Sequence, residues 1–552
     1  MLNITPHWIF RILIFVIIST NVSVAQEKGI LTGDFTLNTA FYNEDSVVGT
    51  NTTQYFHQKS SSEAWTFLNY RYQGFTVNAR FDLFNNSPLL IPQEAFTRQG
   101  LAFYNVSKTF NKVSITAGHF YDQFGSGSIF RAFEDRNIGL DYAIQGVKLV
   151  YSPNDSLLFK AFTGLQKQRF DQAPQVIKGA NIEKIWGIGN LGFNTGIAYI
   201  NRTLDQQNIN ILSEYVNALP FNIRADNIPK YNVYAGTLYN TLSYRNLSLN
   251  TEFAYKTKEL NFIENTDGST TLQNKDGNLF STSLSYSGDG LGINLGYRRV
   301  DKFILRTSPY TNFLVGVINY LPPLSRQTSY RLPARYSIGA LNQGEEAYQA
   351  EVIYSINKRN TFDVNYSHVN RLDGKLLYRE FYIDYSRKFN KNLKGIIGVQ
   401  KLTYNQDAYQ GKPQVPNVKA FTPFTEWSVR LKSRNAPDSL KKFKLLRFSN
   451  ASLRFEGQYL ATRQDLGNFA WVLAELNLAP KYSISVSDMI NVNPTKGDKV
   501  IHYYNFFVAY SVNQSRVSLT YARQVEGIVC TGGVCRVEPA FSGFRINLVT
   551  NF

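Results

Sequence analysis

The chain has little of what most functional classes require. Among its 552 residues there are 2 Cys, 2 Met and 5 His. A structural zinc site takes about four nitrogen or sulfur ligands, and no His lies near Cys530 or Cys535. His7 falls in the N-terminal leader, His57 in a candidate loop, and His119, His368 and His502 stand near strand ends with no serine motif beside them. A surface hydrolase would gather a nucleophile, a base and an orienter at one rim, so neither an enzyme nor a cofactor is expected. Charged residues make up only 18% against 43% hydrophobic, which excludes a disordered chain. Beyond Ala25 nothing approaches the roughly 18 consecutive apolar residues of a membrane helix, so a spanning structure could only be a closed barrel. The formal charge is +17, yet no basic stripe alternates with stacking aromatics on a soluble face, and nucleic acid is not an expected partner.

The leader is the first positive feature. Arg11 precedes the apolar run from Ile12 to Ser19, and Ser23-Val24-Ala25 stands before Gln26. That order predicts a secretory signal peptide over residues 1–25, cleaved after Ala25, with the mature protein running from 26 to 552. The apolar run is too short to span a bilayer as a helix. No Cys follows the cleavage site, which argues against a lipid anchor, and loss of Arg11 leaves a mature charge of +16.

What the chain has in excess is aromatic side chains, 14% of the total with 35 Tyr and 40 Phe. Such rings suit strands that meet a bilayer interface. Phe75 to Leu83 alternates apolar with polar residues, and so do the stretches Leu247 to Lys256 and Leu291 to Arg298. A period of two makes strands. A soluble sandwich would alternate too, but an export signal and aromatic-rich strands favour a lipid-facing surface. The phase turns Arg80, Asp82, Glu252, Lys256, Arg298, Arg454, Glu456 and Arg545 inward. Their mixed signs suit a solvated ion-pair network better than a selective anion channel.

Tight linkers such as YQGF, TFNK, RNLS and SGDGLG alternate with longer ones, the asymmetry of short periplasmic turns and long extracellular loops. The expected fold is therefore all-β: a single large antiparallel transmembrane β-barrel of about 24 strands, within a range of roughly 20 to 26, with both termini periplasmic. The interval from Lys432 to Asn450, basic through Lys441, Lys442, Lys444 and Arg447, falls on the periplasmic side and is long for a turn. The last ten residues, Gly543 to Phe552, alternate and stop on an aromatic, in the manner of a C-terminal insertion signal for barrels.

Three segments carry candidate sites. Cys530 and Cys535 flank a Gly-Gly turn in an exported chain, and a disulfide clipping the last external loop is expected. The segment from Gly118 to Arg136 holds Arg131, Glu134, Asp135 and Arg136 close together, with Gly125 and Gly127 permitting sharp turns; it reads as an inward constriction for a solute or as a loop packed by its own aromatics and ion pairs. A second long loop, from Phe303 to Gly344, combines Pro322, Pro323 and Pro333 with Arg326, Arg331 and Arg335. These guanidinium groups could meet an acidic solute or lipopolysaccharide phosphates, or pair with lumen carboxylates.

The pieces GHFYDQFGSG with FEDRNIGLD, INYLPPLSRQTSY, GNFAWVLAELNLAPKYS, and HYYNFFVAY with RQVEGIVCTGGVCR resemble an uncharacterised family of Bacteroidota outer-membrane barrel proteins, known only as a domain of unknown function. The resemblance spans most of the mature chain. It implies a Bacteroidota source and an outer-membrane address, and it transfers no catalytic or ligand residue. Against that family's spacing, the basic interval around Lys441 looks like an insertion.

A TonB-dependent transporter would place a plug domain before its barrel, whereas the first candidate strand here, Ile30 to Tyr42, begins almost at the cleavage site. About 24 strands would enclose a wide lumen, since porins of 16 to 18 strands already hold a channel. The loops Gly118 to Gly139 and Phe303 to Gly344 are therefore expected to fold inward, unless a partner protein fills the space. The leading function is a channel or transport component, the alternatives an accessory or scaffold subunit of an export or assembly complex and, last, a surface enzyme. Expected partners are outer-membrane lipid including lipopolysaccharide, the barrel-assembly machinery during insertion and, on the scaffold reading, other envelope proteins.

Overall fold

The computed structural model describes residues 29–552 apart from 51–55, 90, 93, 265–269, 311–313, 342–343, 432–449, 496–499 and 532–533. Its main body is one sheet of 24 strands. Each strand pairs antiparallel with the next in sequence, and the first, Ile30–Tyr42, pairs with the last, Phe541–Asn551, so the sheet has no edge. A closed sheet satisfies every backbone donor and acceptor within itself, the condition for standing in hydrocarbon.

The closing seam is set by register. Asp34 lies opposite Asn551 and Tyr42 opposite Gly543. Phe552, the terminal aromatic, continues the ladder: its N–H donates to the Gly33 carbonyl at 3.0 Å, and the Gly33 N–H donates to the Phe552 carbonyl at 2.8 Å. Gly33 suits that place because a Cβ would come within 2.7 Å of the Phe67 backbone carbonyl as well as 2.6 Å of the Phe552 ring.

Alternation sorts the wall into two faces. In the strand Phe75–Ser87, Phe75, Val77 and Phe81 are exposed while Arg80 and Asp82 are buried. In the strand Leu247–Glu264, Leu247, Leu249, Phe253 and Tyr255 are exposed while Glu252 and Lys256 are buried. Such an apolar exterior, continued by Phe381, Ile397, Phe421, Val472 and Phe506 on other strands, fits a bilayer and not water.

One end of the barrel is made of tight turns. Gln73 and Gly74 both have positive φ, 46° and 76°, the geometry that lets a two-residue hairpin follow the strand twist. The turns at Asn111-Lys112, Arg245-Asn246 and Asn513-Gln514 also begin on a positive-φ residue. The opposite end carries the long connections, but not uniformly, as the expected asymmetry required. Arg169-Phe170 and residues 372–375 are turns as short as those at the other end. The interval from Lys432 to Lys444 and Arg447 lies outside the described residues, as do the signal segment 1–25 and its cleavage site.

Candidate functional site: the loop-filled lumen

Two connections from the long-loop end enter the barrel, residues 121–143 and, of the second, the described residues 302–310 and 314–341. The first forms two small hairpins, Asp122–Gln123 with Arg131–Ala132 and Glu134–Asp135 with Leu140–Asp141. In the segment that joins the strands of the first hairpin, Phe124, Ile129 and Phe130 are buried against the wall residues Phe162, Ile177 and Ala198. Phe130 and Phe162 stand 4.5 Å apart, ring centre to ring centre. The second connection adds Leu305, Ile318 and Leu321 to that core, then crosses the lumen and builds another from Leu332, Tyr336 and Ile338 against Val369, Leu402, Leu460 and Phe469. Burial of these apolar faces is what holds the loops in place.

The loops also bind each other. The Arg131 N–H donates to the Ile318 carbonyl at 2.9 Å, and the Tyr320 N–H to the Gly127 carbonyl at 3.0 Å. The Arg131 guanidinium lies over the rings of Tyr320 and Phe133, at 4.3 and 4.8 Å from their centres, so it fastens one loop to the other.

Charges tie the first loop to the wall. Arg80 donates to Asp82 at 2.7 Å on its own strand, to Glu134 at 2.5 Å and to Asp141 at 2.7 Å. Lys167 reaches the same Asp141 carboxylate at 2.6 Å. Arg136 bridges Glu134, at 3.1 Å, and Asp34 of the first strand, at 3.4 Å. Asp135 has a local role, accepting from the Asn137 N–H at 3.0 Å. Burial pushes the Glu134 carboxyl above its usual range against the pull of Arg80. Burial would raise Asp141 as well, but Lys167 and Arg80 outweigh it and hold that group low. The network lines a cavity of about 530 Å³ whose other walls include Trp65, Phe84, Tyr142 and Leu314.

The second loop distributes its arginines differently from one another. Arg326 meets Asp363 at 2.6 Å and Glu351 at 3.5 Å and lies 3.8 Å above the Tyr382 ring. Arg335 pairs with Asp465 at 3.3 Å, and the Tyr336 hydroxyl donates to the same carboxylate at 3.2 Å. These two guanidinium groups therefore face carboxylates inside the barrel and are not turned to surface lipopolysaccharide. Arg331 has no ion pair among the described residues. It faces a second cavity of about 520 Å³, shared with Arg545 and lined by Asn38, Ser518 and Asn547 of the seam. Its side chain is exposed to that space although protein surrounds it. Burial, and then the like charges of Arg335 and Arg545, make its guanidinium easier to deprotonate than usual.

One element of the assembly has no counterpart in the sequence reading. The helix Gln206–Ala218 sits in the connection after the strand Leu191–Thr203 and buries Ile209, Leu212 and Val216 against Leu260. Asn208 accepts from Ser308 at 2.5 Å through its side chain and from Tyr310 at 2.6 Å through its backbone carbonyl, so the helix braces the second inward loop. The spacing of Ile209, Leu212 and Val216 was the available signal.

The backbones of Gly527–Thr531 and Val534–Glu538 form a hairpin with Cys530 directly opposite Cys535. The side chains of both cysteines lie outside the described residues.

Among curated proteins none matches the chain. Solved structures similar to it include the P pilus usher PapC translocation pore, at 10% identity over 95% of this chain and 99% of that one with a TM-score of 0.40. The siderophore receptor PirA from Pseudomonas aeruginosa aligns at 8% identity over 97% and 81%, with a TM-score of 0.41. A BenF-like porin from Pseudomonas fluorescens aligns at 10% over 84% and 98%, with a TM-score of 0.34. Likenesses this distant transfer no substrate, partner or mechanism. A family match, in contrast, runs from residue 6 to residue 552, and the chain belongs to the family of unknown function DUF6029.

Proposed function

We propose that this protein is a non-enzymatic outer-membrane β-barrel that acts as a channel or transport component, with its lumen narrowed by its own two loops. The carrying observation is that the loops pack inside the barrel yet leave two cavities beside them. The two share Leu89 in their walls, and the seam strands contribute Asn38, Ser518, Thr520, Arg545 and Asn547 to the second. Small solutes would pass by way of these cavities, and the charged ties of Arg80 and Arg335 would set how far the loops can part. On this reading the precursor is exported by a cleavable signal over residues 1–25, inserted by the barrel-assembly machinery, and clipped by a Cys530–Cys535 disulfide.

The accessory-subunit reading draws on a different feature. The two apolar clusters pack the loops as firmly as a domain core, which suits a sealed barrel that offers its surface to other envelope proteins. Liposome swelling separates the two. Entry of small sugars or amino acids into vesicles holding the folded protein supports transport; vesicles that stay impermeable, with the barrel verifiably folded, favour the scaffold.

A further inference from the structure

The exterior of the barrel carries a cluster of cations that has no ion-pair partner among the described residues. Arg379, Lys401 and Lys419 stand on three consecutive strands, Leu376–Lys388, Leu393–Tyr404 and Val418–Leu431, and all three are exposed. Register places them together: Arg379 is opposite Thr403, Thr403 is opposite Lys419, and Lys401 lies two residues along from Thr403. Adjacent strands are about 4.8 Å apart, so the three Cα atoms fall within about 10 Å of one another.

Alternation fixes their direction. On these strands Tyr378, Glu380, Tyr382, Leu402, Tyr404, Val418 and Ala420 are the buried, inward residues, so Arg379, Lys401 and Lys419 share the outer face with exposed Phe381, Ile397 and Phe421. Arg379 and Lys419 sit at the long-loop end, one outward position beyond Phe381 and Phe421, and Lys401 lies between those two rings, opposite both. This is the level at which headgroups begin.

Several other cations near this rim are matched. Arg299 lies opposite Glu346 across two outward positions, Arg98 pairs with Asp171 at 2.6 Å, and His502 meets Asp488 at 2.7 Å. The loop acids closest in sequence are also taken: Asp373 pairs with Arg371, Asp407 with Lys375, and Asp465 with Arg335 and Lys412. Glu380 is turned inward and accepts from Gln400 at 2.5 Å. Among the described residues, no carboxylate forms an ion pair with Arg379, Lys401 or Lys419.

Three like charges on a lipid-facing wall repel one another unless anions lie between them. We propose that this patch binds the phosphate groups of a phosphorylated glycolipid of the outer leaflet. The guanidinium of Arg379 takes one phosphate through paired N–H donors, the two ammonium groups add point charges, and the acyl chains lie on Phe381, Ile397 and Phe421. A phosphorylated glycolipid fits better than a phospholipid because the span of the patch exceeds one phosphate and suits a headgroup that carries two. The site stands whether or not the lumen conducts.

The test is native mass spectrometry of the detergent-purified full chain titrated separately with bis-phosphorylated lipid A, dephosphorylated lipid A and phosphatidylglycerol. The parent protein should retain bis-phosphorylated lipid A in preference to the other two. The triple variant Arg379→Gln, Lys401→Gln, Lys419→Gln should bind it at least about tenfold more weakly, with folding verified by heat-dependent gel migration. Single variants serve if the triple variant does not fold, each weakening the complex in part. Equal retention of bis-phosphorylated lipid A by parent and variant, or equal retention of the dephosphorylated lipid or of phosphatidylglycerol by the parent, would overturn the assignment.

Discussion

Arg80 of the wall and Glu134 of the first inward loop meet at 2.5 Å, and the same guanidinium holds Asp82 and Asp141. One buried cation thus serves three carboxylates, two of which belong to the loop. Removing it as Arg80→Met would leave those carboxylates buried together, at a cost of about 3–5 kcal/mol. The expected outcome is a lower urea midpoint for unfolding from vesicles and easier protease access to residues 121–143. A midpoint equal to that of the parent would show that the tie contributes nothing.

The apolar half of the attachment is tested by Phe130→Ala. Phe130 is buried against Phe124 and Phe162, and truncation of such a ring costs about 3–5 kcal/mol where the site cannot collapse. The loss should fall on the loop more than on the barrel. Proteolysis of the loop should therefore rise while the folded form still migrates as a barrel on unheated gels.

A pH effect follows from Asp465. Burial would raise its carboxyl, but Arg335 and Lys412 outweigh burial and hold it below the ordinary value of 3.8. A folded-state pKa below the unfolded one contributes stability that is fully present above the unfolded value and is lost as pH falls through the folded value. The stability difference between the parent and Asp465→Asn should thus be constant near neutrality and shrink below about pH 4. A difference that shrinks between pH 7 and pH 5, roughly, would contradict this assignment.

Cys530 and Cys535 are opposed in a hairpin, and the bridge between them can be tested by mass. Alkylation of the unfolded, unreduced protein should add no adduct, and alkylation after reduction should add two. Because the loop is short, loss of the bridge in the double Ser variant should cost no more than about 2 kcal/mol. Two adducts without reduction would mean free thiols.

The barrel was legible in the sequence because its determinants are local. A period of two marks each strand, and the first strand is found over the same span, Ile30–Tyr42, that alternation predicts. The phase that turned Arg80, Asp82, Glu252 and Lys256 inward agrees with their burial. The ties inside the lumen were not legible, since they join distant residues: Ser128 donates to Glu252, and Arg335 meets Asp465. No local pattern distinguishes Arg326, which finds carboxylates, from Arg331, which faces a cavity. The helix Gln206–Ala218 was hidden for a related reason, because Ile209, Leu212 and Val216 repeat over too short a stretch to stand out from a loop until Leu260 covers them.

The central claim is that two loops of the same chain close the lumen, and single-channel recording in a planar bilayer tests it most directly. The parent barrel should conduct weakly, and a variant lacking Val315 to Arg335, confirmed as folded, should show a large, steady increase in conductance. An unchanged conductance in that folded variant would contradict the account.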